Sequence, residues 1–236
     1  MAGKSGRTFG WWFGRALLAL LLLFVAWNLW ILGHVVLWRW VNPSETAFME
    51  RQLDRLRDED PQAELYHQWV PYHRISNNLK RALVASEDAR FLAHDGFDWE
   101  GIQTAWEKNL KKGRIVAGGS TISQQLAKNL FLSGRRTPWR KLEEALITVM
   151  LEAVLDKRRI FEIYLNVIEW GDGVFGAEAA ARHYYGGRAA QLSRMQAARL
   201  AAMVPNPRYY DTHRNDRRLL RKAAIIQRRM GYADIP

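Results

Sequence analysis

Apolar residues follow two regimes along the chain. From Ala16 to Trp38 they form a 23-residue stretch without Lys, Arg, Asp or Glu, in which only Asn28 and His34 break the apolar series. At 1.5 Å per residue, a helix of this length crosses a hydrocarbon core of about 30 Å. Beyond about Tyr72 the spacing becomes helical: Leu79, Leu83 and Val84; Ile122, Leu126 and Leu130; Leu142, Ala145, Leu146, Val149 and Ala153; then Ile160, Ile163, Tyr164 and Val167. Each row is expected to face a core. Helix starts are marked by Ser76 and Ser120, and stops by Gly134 with Pro138, by Gly171 and Gly173, by Gly186 with Gly187, and by Pro205 with Pro207. Sustained period-two alternation is missing, so the predicted class is mostly α.

Between these regimes, from Asn42 to about Tyr72, the chain is polar and of mixed charge, with Pro43, Pro61 and Pro71. Ala47 to Arg57 is expected to form a short helix, the rest a connector, and no chemistry is assigned to it. The apolar run is longer than the hydrophobic part of a signal peptide, and no small-x-small cleavage site follows it before Arg39. It reads as a retained anchor. Trp11, Trp12, Trp27, Trp30, Trp38 and Trp40 lie in or beside it, several near its ends, where indole rings favour the interface. Lys4, Arg7 and Arg15 precede it with no acid among them, which places the amino terminus in the cytoplasm and the remainder outside the inner membrane. The expected division is a cytoplasmic tail (1–15), an anchor (16–38), a connector (39–64) and one catalytic domain (65–236).

Charge changes the picture next. A formal net charge of +11 and an isoelectric point near 10.1 imply an anionic partner: nucleic acid, a phosphate-bearing substrate or an acidic membrane surface. The basic stretch Arg208 to Arg229, diluted by Asp211 and Asp216, reads as a solvated face or a contact with anionic headgroups. Cysteine is absent, which excludes disulfides, thiolate metal sites and a thiol nucleophile.

Four segments carry candidate chemistry. In ASEDARFLAHDGFD (85–98), Glu87 and Asp88 fall where a helix runs out, at the end of its dipole that disfavours a carboxylate. They are either a proton-transfer pair or surface acids paired with Arg81 or Arg90, and His94 reads as a capping or packing residue. In GGSTISQQLAKN (118–129), two glycines precede a helix start, where free N–H groups favour an anion. Ser120 is the expected cap, and Thr121, Gln125 and Lys128 share one helical face. In WRKLEEALITVMLE (139–152), Arg140 and Glu144 lie four apart, opposite the Leu142 row; they offer a guanidinium and a carboxylate to a cleft, or form an ordinary exposed pair. The fourth segment, KRRIFEIYLN (157–166) followed by GDGVFGAEAAARHYYGG (171–187), reads as scaffold: Glu162 and Asn166 as buried hydrogen-bonding groups, Ala177 and Ala179 to Ala181 as close packing.

Taken in order, these blocks resemble the signature motifs of glycosyltransferase family 51, the peptidoglycan glycosyltransferases, and in particular its monofunctional biosynthetic members. The resemblance covers about residues 65 to 205, with Ser123 standing where Thr is frequent and Tyr185 where Phe is frequent. It implies a lysozyme-like helical lobe, a smaller membrane-associated lobe, and a cleft for two lipid-linked substrates. The implied reaction is polymerisation of lipid II into β-1,4-linked glycan with release of undecaprenyl diphosphate. Residue by residue, Glu87 matches the general base and Glu144 the second carboxylate. Lys128 and Arg140 match the phosphate-contacting positions, assisted by Ser120, Thr121 and Gln125. A divalent cation, Mg or Mn, is allowed at the diphosphate but not required. Implied partners are lipid II, the growing strand, the inner membrane and other wall-synthesis or division proteins, with no nucleic acid. Residues 99 to 117, with Trp99, Ile102, Trp106 and Leu110 among lysines, are the candidate membrane-facing part. A lytic wall enzyme and a non-catalytic basic scaffold are the rival readings; a neutral glycan needs no cationic clamp, and no nucleic-acid motif accompanies the charge.

Overall fold

A computed structural model describes residues 5–114, 118–132 and 137–236, with side chains from Gly10 on. The stop expected at Gly134, and the Lys4 and Arg7 charges used for orientation, lie outside the described residues and side chains. The first helix, α1 (Ser5–Leu37), contains the apolar span Gly10–Leu37, long enough to cross a membrane and almost entirely exposed. Its last turns behave differently: Ile31, Val35 and Trp38 are buried in the domain. Arg159 ties them down, donating from Nε to the Trp38 carbonyl (2.7 Å) and from Nη2 to Val41 O (2.9 Å) and Asn42 Oδ1 (2.8 Å). The apolar helix is thus mounted on the rest of the chain by packing and by three hydrogen bonds.

Most of the helices that follow, though not α8 or α10, begin where side-chain oxygens cap their free N–H groups. Thr46 caps α2 (Ala47–Glu59), Ser76 caps α3 (Asn77–Glu87) as expected, and Asp98 caps α4 (Trp99–Lys112). After α5 (Ile122–Phe131) and α6 (Pro138–Val154), Asp156 caps α7 (Lys157–Val167). The chain closes with α8 (Ala177–Tyr185), α9 (Arg194–Met203), α10 (Pro207–Thr212) and α11 (Arg217–Arg229). α9 packs on α3 and α11, while α5 packs on α2, α6 and α7. Leu79, Leu83, Ile122, Leu126, Ile160 and Tyr164 are fully buried between them, as the helical spacing predicts. Ala177 and Ala179 to Ala181 are buried too, the close packing expected of that run.

Three expectations are corrected. The Leu142, Ala145, Leu146, Val149 row does not face the core: Leu142 and Val149 are about half exposed, and α6 buries Glu144, Ile147, Thr148 and Leu151 instead. An N-terminal stretch of this outward face meets α1, where Trp139 lies 6.4 Å from Phe24 between ring centroids. Second, Thr121 rather than Ser120 caps α5. Its hydroxyl accepts from Gln124 N–H, and the Gln124 side chain returns to Thr121 N–H in a capping box. Third, Gly171 and Gly173 do not end a helix. α7 stops at Val167, and a small sheet follows of β1 (Tyr66–His67), β2 (Glu169–Gly171) and β3 (Val174–Phe175), ordered β1-β3-β2, in which Gly171 ends β2 and Gly173 lies in the turn to β3. β1 runs parallel and β2 antiparallel to β3. Strands this short leave no alternation for a sequence to display.

Candidate active site

The end of α3 separates the two adjacent acids. Glu87 closes the helix and faces a cavity of about 610 Å³, whereas Asp88 is its C-cap and turns inward. Neither pairs with Arg81 or Arg90: Arg81 donates to the Ala233 carbonyl (3.1 Å), and Arg90 pairs with Glu100 and Asp98. Asp88 accepts from Ile122 N–H (3.0 Å), the first residue of α5, and its other oxygen meets His94 Nε2 at 2.9 Å. His94 is therefore a packing residue, and Asp88 a carboxylate at a helix amino terminus.

Gly96 shows why the loop after His94 needs its glycine. Its φ is +88°, and a Cβ there would lie 2.7 Å from Thr148 Cγ2. Its carbonyl accepts from the Thr121 hydroxyl at 2.7 Å, so the loop and the α5 cap hold each other. Thr121 is consequently buried, and does not join Gln125 and Lys128 on a cleft-facing stripe; its oxygen is consumed by the cap.

Glu87 is held by three groups. Gln125 Nε2 donates to Oε2 (3.2 Å), Ser86 Oγ donates to Oε1 (2.9 Å), and Lys222 Nζ of α11 stands 3.7 Å from Oε1. The Gln125 amide is itself oriented by the Tyr164 hydroxyl, which donates to Oε1 at 3.0 Å. Burial, then the charges of Glu87 and Asp88, push the Tyr164 pKa well up, so this phenol stays a neutral donor.

Across the same cavity stand Lys128 of α5 and Arg140, Lys141 and Glu144 of α6. Arg140 Nη1 donates to Glu144 Oε2 at 3.1 Å, and Lys141 pairs with Oε1. Arg140 Nε is buried without a partner among the described residues. Arg51 completes the lining from α2, giving four cations against the two carboxylates Glu87 and Glu144. A second recess of about 150 Å³, lined by Ser86, Glu87, Asp98 and Gly118 to Thr121, shares Glu87, Gly118 and Ser120 with the first. Glu87 thus stands at the junction of two spaces. No three His, Asp or Glu side chains converge among the described residues. Glu144 is already neutralised by two cations, so this donor set does not fit a resident metal, and no step is routed through one.

A model of the family described as Transglycosylase matches residues 52–231. The chain belongs to the transglycosylase family. Relatives named biosynthetic peptidoglycan transglycosylase are similar over nearly the whole length. The one from Laribacter hongkongensis is 75% identical, covering 95% of this chain and 99% of its own. That from Chromobacterium violaceum is 69% identical over 94% and 97%, and that from Dechloromonas aromatica 64% identical over 98% and 100%. The fold and the motif order expected from the sequence agree with this membership. Of the expected site residues, the structure gathers Glu87, Ser120, Gln125, Lys128, Arg140 and Glu144 on one cavity. Arg51, Lys141, Lys222 and Tyr164 are additions. Lys141 adjoins Arg140 in sequence and Lys222 lies in the basic stretch, whereas nothing in the sequence marks Arg51.

Proposed function

We propose that the protein polymerises lipid II into β-1,4-linked glycan by direct displacement, with Glu87 as general base. Glu87 takes the proton of the acceptor's 4-hydroxyl as that oxygen bonds to the donor's anomeric carbon. The carbon–oxygen bond to the diphosphate breaks, the centre inverts from α to β, and the leaving group departs as undecaprenyl diphosphate. Lys128, Arg140 and Lys141 meet the charge that develops on it. Glu144 orients Arg140 and Lys141, Gln125 orients Glu87, Ser120 lies at the shared rim of the two spaces, and Thr121 acts through the α5 cap.

One observation carries this reading: a held carboxylate at the junction of two spaces, the larger of which is lined by cations on its other walls. The orphaned Arg140 Nε supports an anionic ligand, since a buried donor without a partner is costly. A lytic enzyme acting on neutral glycan has no use for that clamp. The exposed span of α1 supports membrane anchoring, and the exposed Trp99, Trp106 and Leu110 of α4 support contact with the bilayer surface. In the proposed arrangement 1–15 is cytoplasmic, 16–38 crosses the inner membrane, 39–64 connects and 65–236 is the catalytic domain outside it. The test is incubation of the purified full chain with labelled lipid II. Ladders of lengthening glycan support the proposal; release of fragments from intact sacculi without ladders supports lysis instead.

A further inference from the structure

Arg51 stands in the segment for which the sequence reading assigns no chemistry, yet it lines the same cavity as Lys128 and Arg140. Its Nη2 donates to Leu132 O at 2.7 Å and to Ala47 O at 3.2 Å, and the guanidinium lies 5.4 Å from the Phe48 ring centroid. Those bonds occupy one nitrogen. The remaining N–H groups have no partner, and Arg51 forms no ion pair, among the described residues. The guanidinium is partly buried and lines the cavity, so its open donors are presented to an anion that enters. Burial, and then the positive charge of Arg208, lower its pKa from the usual value.

Its position along the cavity indicates which anion. The helical rise puts Leu132, whose carbonyl Arg51 grips, about 10 Å beyond Gln125 and about 6 Å beyond Lys128 along α5. At that end Phe131 packs on Trp38 and Trp30 of the anchor, with ring centroids 5.1 and 6.1 Å away. Phe48, against the guanidinium, and Leu132 make the lining apolar there. A ligand with its sugar at Glu87 and its hydrocarbon toward the anchor must run past Lys128 and then Arg51. We propose that Arg51 binds the phosphate nearer the lipid, through the donors that the two carbonyls leave open. This rests on the lipid diphosphate reading above.

Full-length wild type, Arg51→Met and Arg51→Lys in detergent are compared by lipid II kinetics, thermal unfolding and calorimetric binding of inorganic pyrophosphate. In Arg51→Met the KM is expected to rise about tenfold or more with kcat within a factor of about three, and pyrophosphate binding to weaken in parallel. Arg51→Lys, which keeps the charge but not the planar fork, should fall between. An unchanged KM and unchanged pyrophosphate binding in a variant that only melts lower overturn the assignment and leave Arg51 as a clamp on α5. A fall in kcat at constant KM also overturns it. If wild type itself does not extend lipid II, the reading of the reaction fails first; pyrophosphate binding equal in wild type and Arg51→Met then removes Arg51 as an anion site too.

Discussion

Replacing Asp88 by Ala tests how the site is assembled rather than how it reacts. The Asp88 side chain is 1% exposed and serves two partners, the Ile122 N–H at 3.0 Å and His94 Nε2 at 2.9 Å. Truncation leaves a first-turn N–H of α5 without its carboxylate, a loss of about 1.5 to 3 kcal/mol for a hydrogen bond to a charged group. It also strands His94, 6% exposed at the side chain, whose Nδ1 already has no partner among the described residues, adding about 1 to 3 kcal/mol. The losses share a centre and do not simply add, so the whole is expected to come to about 3 to 5 kcal/mol. For a chain of 236 residues, each kcal/mol moves the melting temperature by about 2 to 4 °C, so the expected fall is about 6 to 20 °C. Asp88→Asn, which keeps an acceptor for one partner, should lose about half as much. Differential scanning calorimetry of the detergent-solubilised chain measures both, and amide exchange should rise first in the opening turn of α5. A midpoint within about 3 °C of wild type for Asp88→Ala would refute the reasoning that this carboxylate fixes the helix carrying Gln125 and Lys128.

Other perturbations follow from the same geometry. Lys222→Met should slow polymerisation by only about twofold to fivefold, since a cation over a third exposed contributes about 0.2 to 1 kcal/mol to its partner; Lys222→Arg should restore the rate, and a loss beyond about 100-fold would place Lys222 on the reacting atoms instead. Lys80 is buried against the Tyr72 ring, its Nζ 3.9 Å from the centroid; burial, then the charge of Arg158, lower its pKa to about 8. Above that value the folded state has released a proton that the unfolded chain retains up to about 10.4. Wild type should therefore gain stability relative to Lys80→Met between pH 7 and 10, and denaturant titrations giving a constant difference across that range would contradict the shift.

Much of the scaffold is legible in the sequence because water-facing and core-facing residues alternate at the helical period. Ile122, Leu126 and Leu130 are the clear case, with Thr121 or Ser120 the only ambiguity at the start of α5. α6 is misread for a physical reason. It is apolar on two sides, with Ile147 and Leu151 inward and Leu142 and Val149 outward, and periodicity does not distinguish a core from the surface beside an apolar anchor. The relative placement survives: Arg140 and Glu144 lie opposite the Leu142 row and face the cavity. The residues carried over from the resemblance meet there because α3, α5 and α6 converge, which the motif order implies. Lys222 reaches Glu87, and Arg51 the cavity, by tertiary packing of α11 and α2, and no local pattern encodes such distances. Tyr164 is visible as a core position, but its hydroxyl bond to Gln125 is a property of the fold.

The central claim is that Glu87 is the base of a polymerisation reaction. Glu87→Gln keeps the size of the side chain and an acceptor for Gln125, so its melting temperature should match wild type within a few degrees. Incubated with labelled lipid II, it should extend glycan about 100 to 10,000 times more slowly than wild type, leaving the gel without a ladder. A wild-type ladder from correctly folded Glu87→Gln would remove Glu87 from the chemistry and the account with it.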